Sequence, residues 1–65
     1  MGKMSIKAYR VNAGYSQEKA AEAIGVATKT LQLWENEQDA LKGARLESVK
    51  KMCDLYGIEI TDIEV

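Results

Sequence analysis

Four neighbouring side chains in the middle of the chain carry most of the chemistry this sequence offers: Thr28, Lys29, Gln32 and Leu33. If residues 28–36 form a helix with Leu31 and Trp34 turned inward, the 3.6-residue period turns these four outward together. A hydroxyl, an ammonium, a carboxamide and an apolar tip on one exposed strip can make hydrogen bonds and shape contacts. They cannot run a reaction by themselves, and the rest of the chain adds little that could. With no histidine, one cysteine and no glycine-rich phosphate loop, the chain offers neither a metal cluster nor a nucleophile with its base. Cys53 falls at an apolar helical spacing and reads as a small buried hydrophobe rather than a reactive thiol. The chemistry on offer is that of binding, with no catalytic residue, no metal and no cofactor.

Those side chains need a rigid scaffold, and the punctuation of the chain supplies one. Ser16 can cap the free amides of a helix over residues 17–24, where Glu18 suits the positive first turn and Ala20, Ala21 and Ile24 form an apolar face. Gly25 ends that helix, and three residues later Thr28 opens the next, about 28–36. A first helix is expected over about 4–12, with Ile6, Tyr9 and Arg10 on one side and Gly14 as its stop. Residues from Glu37 to Ala44 lack helical periodicity and read as a loop. From Arg45 onward Leu46, Val49, Met52, Cys53 and Tyr56 recur at helical spacing, predicting a helix over about 45–56 that stops at Gly57. Ile58, Ile60 and Ile63 then close the core, with a short turn over about 61–64. The expected fold is all-α: a compact four- or five-helix bundle in one domain, residues 1–65.

Sixty-five residues make one small domain that hides only about 60% of the surface its unfolded chain exposes. An apolar fraction of 46%, without proline, favours a helical bundle over disorder. A single cysteine cannot form an internal disulfide, which favours the cytoplasm, and no apolar run is long enough to span a bilayer. The net charge of −1 argues against a nucleic-acid partner. Its distribution argues the other way: Lys3, Lys7 and Arg10 stand without an acid in residues 1–15, while Asp54, Glu59, Asp62 and Glu64 crowd the end of the chain. An acidic tail can mask a basic face elsewhere, and a specific contact needs only a few well-placed cations.

The segment from Ser16 to Asn36, SQEKAAEAIGVATKTLQLWEN, meets the needs of two short helices packed across a tight turn. Ala21 is small where the backbones approach, Gly25 can take a positive φ, and Ile24, Leu31 and Trp34 face inward. Any packed helix pair could satisfy the same needs, so geometry alone leaves the function open. The spacing also resembles that of the Cro and phage-repressor regulators, the XRE type of helix-turn-helix. The carriers of the resemblance are Ser16-Gln17, Ala21, Gly25 and Trp34-Glu35-Asn36, with Tyr9-Arg10 before them and Leu55-Tyr56-Gly57-Ile58 after.

That resemblance, over nearly the whole chain, implies a bacterial or phage transcriptional regulator, in the first instance a repressor, bound to a double-stranded DNA operator. It implies that Thr28, Lys29, Gln32 and Leu33 face the bases of the major groove. Lysine can donate to guanine, glutamine can pair bidentately with adenine, and a leucine can rest on a thymine methyl. Gln17 and Asn36 match the amides with which such proteins touch phosphate, and Lys42 and Arg45 could clamp the backbone further along. Arg10 and Glu35 match a structural ion pair between the first and third helices. The resemblance also implies a weak homodimer, or a dimer formed on DNA, for which Leu41, Leu55 and residues 58–65 offer apolar groups beyond those the core needs. No membrane and no small-molecule ligand are implied.

Three positions depart from the pattern. Ala27 stands where a capping Ser or Thr is usual, so that Thr28 could cap instead and shift the helix start. Glu37 replaces a glycine after the third helix. Ala20 replaces a leucine, leaving a volume for Trp34 to fill. A different class of function also fits: a helix-turn-helix protein-interaction module, an antirepressor or adaptor with a decayed DNA face, which the acidic balance, Glu37 and Leu33 favour. Binding to DNA separates the two.

Overall fold

The computed structural model describes residues 5–63, with every side chain except those of 38 and 39. Serine hydroxyls open its first two helices. Ser5 Oγ accepts from the Ala8 amide at 3.2 Å at the start of α1, Ile6–Asn12. Ser16 Oγ accepts from the Lys19 amide at 3.1 Å at the start of α2, Gln17–Ile24. Each bond satisfies one of the amides that a helix leaves unpaired in its first turn. Residue 4, where the first helix was expected to begin, lies outside the described residues.

Gly25 ends α2 at a φ of 88°, and its amide donates back to the Ala21 carbonyl at 2.9 Å. A Cβ there would meet nothing within 4 Å, so the position requires glycine for its left-handed backbone and not for space. α3, Thr28–Asn36, follows across residues 25–27. Thr28 is the first residue of α3 and Ala27 holds the cap position with no side-chain bond, so the expected shift to a threonine cap does not occur.

The segment from Glu37 to Ala44, expected to be a loop, contains a fourth helix, α4, Gln38–Lys42. Five residues give barely more than one turn, too few for a period to show in the sequence. Leu41 holds it down, being 8% exposed, so this residue belongs to the core rather than to the surplus apolar surface first assigned to it. α5, Leu46–Tyr56, ends at Gly57, and a single 3-10 turn at Ile60–Asp62 closes the described chain. Residues 64 and 65 lie outside it.

The result is an all-helical bundle in which α2 packs on both α3 and α5, α3 also touches α1 and α4, and the final turn lies on α5. Ile24, Leu31, Met52 and Ile63 are almost completely buried. Sealing such a side chain contributes about 1.5–3 kcal/mol. Ala20 and Trp34 are both buried in the same core. The hydroxyl of Tyr9 donates to the Asp62 carbonyl at 2.9 Å and ties α1 to the final turn. Two residues expected inside are outside: Leu46 is 66% exposed and Ile60 is 55% exposed. Leu46 occupies the first turn of α5, one turn before the buried Val49, and Ile60 opens the final turn whose buried member is Ile63.

Candidate nucleic-acid interface

On α3 the buried side chains are Leu31 and Trp34. This leaves Lys29, Gln32 and Leu33 exposed and Thr28 partly so, on the side away from the core. The strip is bounded by a polar hollow that brings Lys7 and Arg10 of α1, Ser16, Gln17 and Glu18 at the start of α2, and Thr28 and Gln32 of α3 to one place. Three helices therefore converge on the surface that carries the chemistry.

Beneath the hollow lies the ion pair. Arg10 Nε meets Glu35 Oε2 at 2.7 Å and Nη2 meets Oε1 at 3.3 Å, a two-pronged contact whose side chains are 10% and 1% exposed. Arg10 Nη1 donates to the Tyr15 carbonyl at 2.8 Å. The guanidinium thus joins α3 to the connection between α1 and α2, and a planar fork with fixed donors is the side chain suited to that task.

Gln17 is drawn into this network in a way that spacing does not show. Its Nε2 donates to Glu35 Oε1 at 2.9 Å, and its Oε1 accepts from Gln32 Nε2 at 3.3 Å. The resemblance implies a phosphate contact for Gln17; the side chain lines the hollow, with its amide serving the buried carboxylate. The only signal available in sequence was that Gln17, Gln32 and Glu35 all carry groups that need partners once α2 crosses α3.

The remaining site residues lie apart. Asn36 is exposed at the last position of α3. Lys42 is exposed beside an apolar groove with Leu41, Ala44, Leu46, Val49, Ile60 and Ile63, not at the polar hollow. Arg45 is exposed at the cap of α5, where its side chain makes no capping bond. Glu37 links α3 to α4 in an extended conformation and is exposed.

Two buried groups near these elements resist ionisation. The Tyr56 hydroxyl is pushed up to about 12, first by burial and then by Glu35, against a smaller opposing effect of Arg10. Its ring packs 6.5 Å from that of Tyr15, and its oxygen has no hydrogen-bond partner among the described residues. The Cys53 thiol is also pushed up, by burial and then by Asp54 and Asp62. A thiol held protonated in a core is inert, in keeping with its apolar spacing.

A short helix joined through a left-handed glycine to a second helix with a polar outward strip has the geometry of a helix-turn-helix. The helix-turn-helix family model matches residues 6–63, and the chain belongs to that family, the Cro-like and XRE-like type of DNA-binding regulator. No curated protein and no solved structure matches the chain. No helix among the described residues is long and apolar enough to cross a membrane.

Proposed function

We propose that this chain is a sequence-specific transcriptional regulator, acting as a repressor, that lays α3 in the major groove of a double-stranded DNA operator. The observation that carries the reading is the exposed strip of α3, opposite buried Leu31 and Trp34 and bordered by the polar hollow. Lys29 and Gln32 are the principal base readers, Leu33 offers an apolar contact to a thymine methyl, and Thr28 adds a hydroxyl at the start of the helix. Asn36, the outer N–H of Gln17, and the cations Lys42 and Arg45 hold the phosphate backbone and set the register. Arg10 and Glu35 keep α1 and α3 in place. No enzyme activity, cofactor or small-molecule ligand enters this mechanism, and the protein works where the DNA is, in the cytoplasm.

One domain of this size covers a single half-site, too small an area for tight binding alone. Two copies on a two-fold symmetric operator, with half-sites about 34 Å apart, supply the rest. Leu46 and Ile60, two of the exposed apolar groups among the described residues, are available for a weak contact between them, in place of the buried Leu41 and Ile63.

The second reading, a module that binds protein through the same fold, draws on the exposure of Leu33 and on the apolar groove beside Leu46 and Ile60. An anisotropy titration separates the two, using the DNA upstream of the chain's own reading frame and a random duplex of equal length, at low and moderate salt. The regulator binds its own DNA more tightly, and both affinities fall with salt. Equal, weak binding to both duplexes contradicts the proposal and favours the protein-binding reading.

A further inference from the structure

We propose that the free protein associates head to tail: the α1 face of one copy, bearing Lys7 and Val11, seats in the groove between α5 and the final turn of the next, and DNA undoes the contact. The contact itself follows from two surfaces of the free chain. Its reversal by DNA rests on the DNA-facing role proposed for the polar hollow.

Among the described residues the exposed large apolar side chains are Val11, Leu33, Leu46 and Ile60. Leu33 has a place in base reading, and Leu46 and Ile60 in the pairing of copies; Val11, 59% exposed in the last turn of α1, has neither. Lys7, also exposed, lies one turn earlier on the same face of that helix. The two make an apolar knob with a cation beside it. The groove offers the converse: Val49, Cys53 and Ile58 lie between the exposed Leu46 and Ile60, and Asp54 and Glu59 stand at its rim with Lys50. Asp62 adds a third carboxylate close by, accepting from the Glu59 amide at 3.0 Å. The Cys53 thiol in the groove resists ionisation first through burial and then through Asp54 and Asp62, so the negative field reaches inside. A groove set against a groove brings carboxylates toward carboxylates, whereas the α1 knob fills the groove and places Lys7 among them. On an operator the DNA holds two copies together and the tips of Leu46 and Ile60 suffice between them; in free solution the groove is left to α1. Lys7 also lines the polar hollow. A duplex lying against that hollow takes Lys7 and covers the flank of α1, so one copy cannot hold DNA there and seat its knob in a neighbour. Protein in excess of DNA is thereby stored in short chains.

The test is sedimentation of the free protein from micromolar to millimolar concentration. A head-to-tail contact does not close on itself, so the average mass should climb past that of a dimer without a plateau. The contact is small and charged, and it should weaken as salt rises. Val11→Asp keeps the groove and loses the knob, while Ile60→Asp keeps the knob and loses the groove. Each alone should associate about tenfold more weakly or not at all, since each sets a carboxylate against apolar or acidic partners. An equal mixture of the two should form one-to-one pairs that grow no further. A charge exchange gives the same answer if Ile60→Asp fails to fold: Lys7→Glu should stop growth, and adding Asp54→Lys to the same chain should restore it. Growth of Val11→Asp equal to that of the unaltered chain, a mass that levels off at a dimer, or a monomer at every concentration overturns the inference. A short duplex of random sequence, added at low salt, should dissolve the chains, and chains that persist in its presence overturn the reversal by DNA. If dilute, monomeric protein binds no duplex at all, the DNA-binding proposal fails instead, a different outcome.

Discussion

At the end built from α1, α2 and α3, polar side chains are tied to each other across long stretches of sequence, from Arg10 to Glu35 and from Gln17 to Gln32. At the end built from α4, α5 and the final turn the packing is chiefly apolar; Leu46 and Ile60 are exposed there, as Val11 and Leu33 are at the other end. The helix starts divide differently, since α3 of the polar end lacks a side-chain cap and the final turn of the apolar end has a capping box made by Glu59 and Asp62. Serines cap α1 and α2, while Ala27, Glu37 and Arg45 head α3, α4 and α5 without a side-chain bond. Directional bonds fix where a side chain lies, whereas apolar packing tolerates adjustment. The end that must place individual groups against a ligand is therefore the one built on bonds with direction.

The largest effect should come from breaking the polar end. Glu35→Ala or Arg10→Met strands a buried charge, and urea unfolding should show a loss of about 3–5 kcal/mol. A loss below about 1 kcal/mol would mean that the pair is hydrated and that the contrast between the two ends is unfounded. The apolar end should split by burial: Met52→Ala should cost about 2–5 kcal/mol, while Leu46→Ser, at the start of α5, should stay within about 0.5 kcal/mol. Comparable losses at both positions would restore Leu46 to the core.

The same contrast explains what the sequence makes legible. Ser16, Gly25 and the Ala20, Ala21, Ile24 face speak for α2 because caps, turns and periodicity are local, and Leu31 with Trp34 orient α3 for the same reason. α4 stayed hidden because a five-residue helix has no period to display. Leu46 and Ile60 share the spacing of core residues but sit at the starts of their elements, beyond the packed layer, and spacing cannot say where the layer ends. The Gln17 to Gln32 bond depends on how α2 crosses α3, and the Tyr9 bond to Asp62 joins positions 53 apart. Such contacts follow from tertiary geometry and leave no local trace.

High pH offers a milder way to loosen the junction between the two ends. The Tyr56 hydroxyl, ordinarily at 10.0, is held up to about 12 in the folded chain, chiefly by burial. Above pH 10 the unfolded chain gives up this proton while the folded chain keeps it. The stability is thus full below pH 10 and declines as the pH rises through 12, by about 3 kcal/mol. Cys53, also pushed up from 9.0, adds to the decline with the same sign, beginning near pH 9. In Tyr56→Phe the loss above pH 10 should shrink, and at pH 7 removal of the unpartnered hydroxyl should leave stability unchanged or raised by up to about 1 kcal/mol. An unaltered pH profile in this variant would show that the hydroxyl is not buried as described. The smallest effect sharpens the difference in caps: Ala27→Ser should gain about 0.5–1 kcal/mol in a thermal melt by supplying the bond that α3 lacks. No gain would mean that the amides of its first turn are already satisfied.

The central claim is that the outward strip of α3 reads bases, and paired anisotropy titrations on the operator and on random DNA test it most directly. Lys29→Ala and Gln32→Ala should each cost about 1–3 kcal/mol on the operator and much less on random DNA. Arg45→Ala should weaken both alike and reduce the salt slope by about 1. Equal losses on both kinds of DNA for all three variants would contradict the account and leave α3 as no more than a charged surface.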